Sequence, residues 1–307
     1  MKQRTTHIGD KVFKTTTMVF ALFVFALVFL MGYEMVRGSE LSIKQFGWKF
    51  LSTSTWDPVA EEYGALPFIF GTIVSSLLAL LIALPLSIGV AIFLSELAPR
   101  WLERPVSFLV ELLAAIPSIV YGLWGIFVLV PWLRNSVEPF LIKNAGFLPF
   151  FKGVPYGFGM LAAGIILAIM VLPIISSISR DVLRAIPNSQ REAAFALGAT
   201  KWETTKIVLS DGKSGLLGAT LLGLGRAVGE TMAVTMVIGN RPEISYSLLD
   251  PGYSMASVIA NEFAEATSSL YTSALIEIAL ILFVVTIILN VIARLIVWSI
   301  TKKFKTA

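Results

Sequence analysis

Arg226 and Glu230 stand four residues apart in GLGRAVGETMAV (223–234), a stretch otherwise apolar or small. A guanidinium is a planar fork of N–H donors, charged at every physiological pH, and it matches two oxygens of an oxyanion. A carboxylate at i+4 shares its helix face. It holds the fork in one rotamer, or it accepts a hydrogen bond from a protonated oxyanion. Against these stands a structural ion pair that helps a helix pack, although apolar residues do that as well or better. The same face is expected to carry the small residues Ala219, Gly223 and Ala233. Gly225 and Gly229 have the G-x-x-x-G spacing of a helix-packing device.

Few other residue sets offer chemistry. Cysteine is absent and His7 is the only histidine, so there is no Cys/His metal cluster and no histidine-based triad. DGKSG (211–215) ends like a phosphate-binding P-loop, but Ile207 occupies the place of the required earlier glycine. No catalytic residue, cofactor or metal ligand is therefore expected in this chain.

The elements that must position Arg226 and Glu230 follow from composition. Of 307 residues, 56% are hydrophobic and 14% charged, the balance of a polytopic membrane protein. Runs at 16–33, 67–94, 106–130, 158–178, 214–238 and 273–299 each approach or exceed the roughly 20 apolar residues that cross a bilayer. They lack barrel alternation, so six transmembrane helices and an all-α fold are expected. The first is read as an uncleaved anchor, because no small-residue cleavage pattern follows it.

Basic residues set the orientation. With the N-terminus inside, 15 of the 24 lysines and arginines fall on the cytoplasmic side and 7 outside, leaving Arg226 and Arg294 within spans. Both termini are expected to be cytoplasmic. The net charge of +4 thus reports topology, and no nucleic-acid partner is implied. The organisation expected is a tail at 1–15, a first helix at 16–33, an extracytoplasmic loop at 34–66, a five-helix core at 67–300 and a tail at 301–307.

Between the fourth and fifth runs lies a polar, basic segment, 179–213. Pro187 should end a helix continuing from the fourth run. A short helix is expected over 190–197, with Ala193, Ala194 and Leu197 on one face. Gly198 supplies a turn, and Thr200 with Glu203 forms a capping box for the next helix. Such a knob should expose Ala194, Phe195 and Leu197 to a partner, unless it is a plain connector lying on the membrane surface.

This segment resembles the EAA loop of ATP-binding-cassette importer permeases. Glu192, Ala193, Ala194, Gly198, Ile207 and Leu209 fall on the motif, and Ser210 stands where it has proline. Together with ELLAAIPSIVYGLWG (111–125) and GLGRAVGETMAVTMVIGN (223–240), the chain resembles the phosphate-permease (PstC-type) branch of that family. The resemblance implies a type I permease fold in a bacterial inner membrane, with Glu192, Ala193, Ala194 and Gly198 coupling to an ATPase. It implies Arg226 and Glu230 in the translocation of phosphate across the lipid bilayer. It also implies as partners a second permease subunit of PstA type, two copies of an ATP-binding subunit and an extracytoplasmic phosphate-binding protein. Alternatives are a permease of the same class for sulfate, molybdate or another small anion, and an ion-driven carrier working without an ATPase.

Weaker candidates complete the reading. Glu111 and Glu277 are expected inside the third and sixth spans, near an interface. Arg294 should reach cytoplasmic headgroups, and Pro85, Pro117 and Pro173 should kink their helices. Residues 131–157 are expected as a surface loop, and 241–272 as a loop carrying a short amphipathic helix.

Overall fold

Helix α6, Met160–Ala185, is the axis of the structure, because small and branched apolar residues on all its faces let other helices close around it. The computed structural model describes residues 8–305. The expectations for His7 and for the basic residues Lys2 and Arg4 lie outside them. The remaining helices, in chain order, are α1 Ile8–Gly38, α2 Glu40–Phe46, α3 Leu66–Leu97, α4 Arg100–Ala115 and α5 Ser118–Ala145 before α6. After it come α7 Asn188–Ala196, α8 Lys201–Gly229, α9 Met232–Val237, α10 Met255–Glu262 and α11 Ser269–Lys305. Among the described residues six of these, α1, α3, α5, α6, α8 and α11, are long and apolar enough to cross a membrane.

The packing of α3 against α6 is the most extensive in the molecule. Gly164 makes it close, since a Cβ there would come within 2.5 Å of Leu78. Pro85 and Pro173 lie inside these two helices, and Ser87 donates to the Leu172 carbonyl at 3.1 Å beside the second proline.

The third run does not cross as expected. Its first part, through Ala115, belongs to α4, an amphipathic helix, and the chain breaks at Ile116–Pro117 before α5 begins. Proline disfavours helix at the residue before it, which places the break. The Leu113 carbonyl freed there accepts the Tyr121 hydroxyl at 2.8 Å. The crossing helix is 118–145, so 131–145 is helix, and the remainder of the expected surface loop is irregular apart from a 3-10 turn at Pro149–Phe151. Glu138, buried in α5, ties that remainder down by accepting from the Gly157 N–H at 2.9 Å.

Other boundaries move too. Helix α1 starts at Ile8, inside the segment expected as a tail, and continues to Gly38; α11 runs on to Lys305. The 34–66 excursion holds α2, a short 3-10 turn and a two-residue hairpin, β1 Trp56–Asp57 with β2 Glu62–Tyr63. Its Phe46, Phe50, Trp56 and Tyr63 pack with Phe68, Tyr253 and Tyr271 in a second core. Glu262 closes that core by accepting from the Trp56 indole at 2.8 Å and the Tyr271 hydroxyl at 2.6 Å.

Of the two glutamates expected inside spans, Glu277 lies in the sixth crossing helix and Glu111 does not lie in the third. Glu111 lies in α4, outside any crossing helix, and pairs with buried Arg180 at 3.1 Å. Glu277, 7% exposed, is buried beside Ser42 where α2 meets α11.

Candidate functional site

Arg226 occupies the last turn of α8, and the helix stops three residues later. Glu230 is extended, with φ −73° and ψ 127°, so the expected single helix over 214–238 is two segments. The Glu230 carboxylate serves both sides of the break. Its Oε1 accepts from the Ala233 N–H at 3.5 Å, satisfying an N–H in the first turn of α9. Its Oε2 stands 3.8 Å from Arg226 Nη2. That ion pair is longer than a hydrogen bond. The guanidinium is therefore only loosely held. Its side chain is 41% exposed and that of Glu230 is 7%.

The expected face of small residues divides into two groups. Ala219 and Gly223 are buried against α6, where a Cβ on Gly223 would meet Ile175 at 2.6 Å. Ala233 lies in α9 and packs on α5 at Gly122. Leu222, Gly225, Arg226 and Gly229, by contrast, form an exposed stripe at helical spacing. A Cβ on Gly225 or Gly229 would meet nothing within 4 Å. The G-x-x-x-G pair therefore does not serve packing within this chain; Gly215 and Gly223 do, a Cβ on Gly215 lying 2.5 Å from Val182.

Tyr121 lies within electrostatic reach of Arg226 and lines a cavity of about 300 Å³ with Ile116, Val120, Trp124 and Ile169. A cavity of about 810 Å³ opens between α6, α8 and α11, lined by Gly218, Leu222 and Arg294 among others. Arg226 lines neither of these two cavities.

The second candidate site is the knob. Helix α6 ends at Ala185 and Pro187 caps α7. Gly198 adopts φ +82°, a backbone conformation that favours glycine. Both bonds of the capping box form: Glu203 N–H donates to Thr200 Oγ1 at 3.3 Å and Thr200 N–H to Glu203 Oε2 at 2.8 Å. Glu192, Ala193 and Gly198 are exposed, as are Phe195 and Leu197. Ala194 is not. It is 5% exposed and turned inward, against the expectation that it shares the outer face with Ala193 and Leu197. DGKSG is helix interior, and with Ser210 in place of proline α8 continues unbroken from the knob into the crossing segment.

Sequence reasoning missed what fastens the knob. Arg191 grips Glu96, at the end of α3, through two nitrogens at 3.0 and 2.7 Å. It also donates to the carbonyls of Leu183 at 2.9 Å and Ile186 at 2.8 Å, at the end of α6 where helical N–H partners run out. The bidentate carboxylate holds the Arg191 guanidinium above its ordinary pKa. Arg184 likewise bonds Glu103 of α4. Opposite charges in the segment were visible, but partners up to 95 positions away are not marked by spacing.

Comparison with known proteins gives the family and the fold. Residues 83–302 match the family described as binding-protein-dependent transport system inner membrane component. The chain is 50% identical over 293 residues to phosphate transport system permease protein PstC of Haemophilus influenzae, covering 94% of this chain and 93% of that one. It is 39% identical to the probable phosphate transport system permease protein PstC of Methanocaldococcus jannaschii, covering 91% of each. Among solved structures, a bacterial ABC transporter importing the acidic polysaccharide alginate superposes with a TM-score of 0.56 at 17% identity, covering 93% of this chain and 96% of that one. The MetNI methionine ABC transporter gives 0.52 at 19%, covering 82% and 96%. The fold is that of type I ABC importer permeases, and the chain belongs to the family of multi-pass inner-membrane components of binding-protein-dependent transport systems.

Proposed function

We propose that this chain is the membrane-spanning permease of an ATP-driven importer of inorganic phosphate, giving the anion alternating access to the two faces of the membrane. The observation that carries the reading is the half-exposed, loosely paired guanidinium of Arg226 in an otherwise apolar segment. A lone charge at bilayer depth is costly unless it faces a wet route or a partner. Support for phosphate comes from relatives at 39% and 50% identity whose names carry it.

Arg226 makes a brief bidentate contact with the passing anion, weak enough to release it. Glu230 orients the fork and offsets its charge when no anion is present. Glu192, Ala193 and Gly198 on the outer face of the knob contact an ATP-binding subunit, and Ala194 packs behind them to keep the knob in shape. The assembly contains two copies of that subunit, a second permease of PstA type and an extracytoplasmic phosphate-binding protein. The knob end faces the cytoplasm, with both termini on that side, and nucleotide is bound and hydrolysed in the partner subunit.

The test is ATP-dependent uptake of labelled phosphate by the reconstituted complex, with sulfate run in parallel. Arg226→Ala is expected to assemble normally and to lose about a hundredfold in uptake, the equivalent of ~3 kcal/mol for a charge-assisted contact. Near-normal uptake by an assembled variant sinks the proposal.

A further inference from the structure

The cavity of about 810 Å³ between α6, α8 and α11 does not end where its own lining does. A smaller one of about 50 Å³ shares Leu221, Asn290 and Ala293 with it and reaches Leu224 and Thr286. Together they form one cleft along α8 and α11, wide at Gly215 and Trp298 toward the knob and narrow at the other end. From Trp298 to Thr286 the cleft follows roughly three turns of α11, ~18 Å. That is close to one leaflet, half of a hydrocarbon core ~30 Å thick. Gly218 helps to open it, since a Cβ there would meet nothing within 4 Å.

The walls are apolar except for Asn290, Arg294 and the indole of Trp298. Asn290 is turned back on its own helix, where its side-chain amide donates to the Thr286 carbonyl at 2.8 Å. Arg294 is exposed on the wide part of the cleft, inside a crossing helix, and has no carboxylate partner among the described residues. An unpaired charge at that depth calls for an anion. An apolar cleft one leaflet deep with a single cation in its wide part therefore matches an amphiphile whose head is negative and whose tail is hydrocarbon. A helix of another chain fits less well, because at about 10 Å across it would need about 1,400 Å³ along the same length.

We infer that the cleft holds one phospholipid of the knob-side leaflet, with an anionic headgroup against Arg294 and an acyl chain running up between α8 and α11. Basic pockets between crossing helices on the cytoplasmic side suit such headgroups. The bound chain sets the spacing between α11 and the helix that carries Arg226. The inference does not depend on which anion is transported.

The test is to reconstitute the assembled complex in bilayers of phosphatidylethanolamine and phosphatidylglycerol, re-extract it in mild detergent and count the retained lipids by mass spectrometry. The wild-type complex is expected to retain phosphatidylglycerol above its share of the bilayer. Arg294→Ala should lower that enrichment about fivefold, the worth of one basic residue at an anionic leaflet. Gly218→Leu, which fills the cleft, should lower retention as well. Arg104→Ala, on an exposed position of α4 outside the cleft, should leave enrichment unchanged, and excess inorganic phosphate should not displace the lipid. The inference is overturned by no enrichment in the wild type, by undiminished enrichment in Arg294→Ala or Gly218→Leu, by an equal loss in Arg104→Ala, or by displacement with inorganic phosphate. Because the readout is lipid rather than uptake, failure of the proposed function would leave it unmoved.

Discussion

Glu230 meets two demands with one carboxylate, the N–H of Ala233 and the charge of Arg226. Glu230→Gln keeps an oxygen for the N–H and drops the charge. It is therefore expected to assemble with unchanged stability and to reduce uptake less than Arg226→Ala; a loss as large as that variant's would mean the charge itself acts on the anion. Arg191 and Glu96 are a different case, a part-buried pair with side chains 16% and 8% exposed. Removing one partner of a fully buried pair costs about 3–5 kcal/mol, and of this one less. Glu96→Ala should leave the crossing helices folded but let α7 detach, so that ATP hydrolysis continues while uptake per ATP falls several-fold. Proportional loss of both would argue against a coupling role. Arg226 stood out in the sequence because an arginine in an apolar run needs a reason. The break at Glu230 was not, since an apolar window averages across one extended residue. The Arg191–Glu96 pair was out of reach of a single sequence.

Helix α8 shows how single residues decide an element. With serine at 210 the chain has no reason to stop after the knob, and the capping box at Thr200 starts a helix that ends only at Gly229. The third crossing helix shifted for the opposite reason. Hydropathy counted residues on both sides of Pro117 as one run, while the pre-proline restriction at Ile116 divides them. That signal was present and was outweighed by composition. The glycines of α8 offer a test of which face packs where. Gly223→Ala drives a methyl against Ile175 and should destabilise the isolated chain by about 1–3 kcal/mol. Gly225→Ala meets open space and should stabilise the same helix by up to about 1 kcal/mol through backbone propensity. Thermal unfolding of the two variants in detergent distinguishes them, and a reversed order would mean the assigned packing face is wrong.

At the scale of the whole molecule, two cores hold five of the crossing helices, and α1 stands apart from both. None of its apolar window is buried; it touches α11 through Gly32 on Phe283 and Gly38 on Ile276. Deleting residues 8–31 is expected to shift the midpoint of thermal unfolding of the remaining chain by no more than about 2 °C. A large fall would show that α1 supports the bundle. The number of crossing helices was readable from composition, whereas the seating of the 34–66 excursion against α10 and α11 depends on aromatic contacts between distant segments. The unbroken course of α8, 29 residues long, has a mechanical consequence. At about 1.5 Å per residue it is a stiff lever about 43 Å long, with the knob at one end and Arg226 near the other. Tilting it about ten degrees around its middle swings the two ends roughly 4 Å in opposite directions, enough for a push on one side of the membrane to reposition a guanidinium most of a bilayer away.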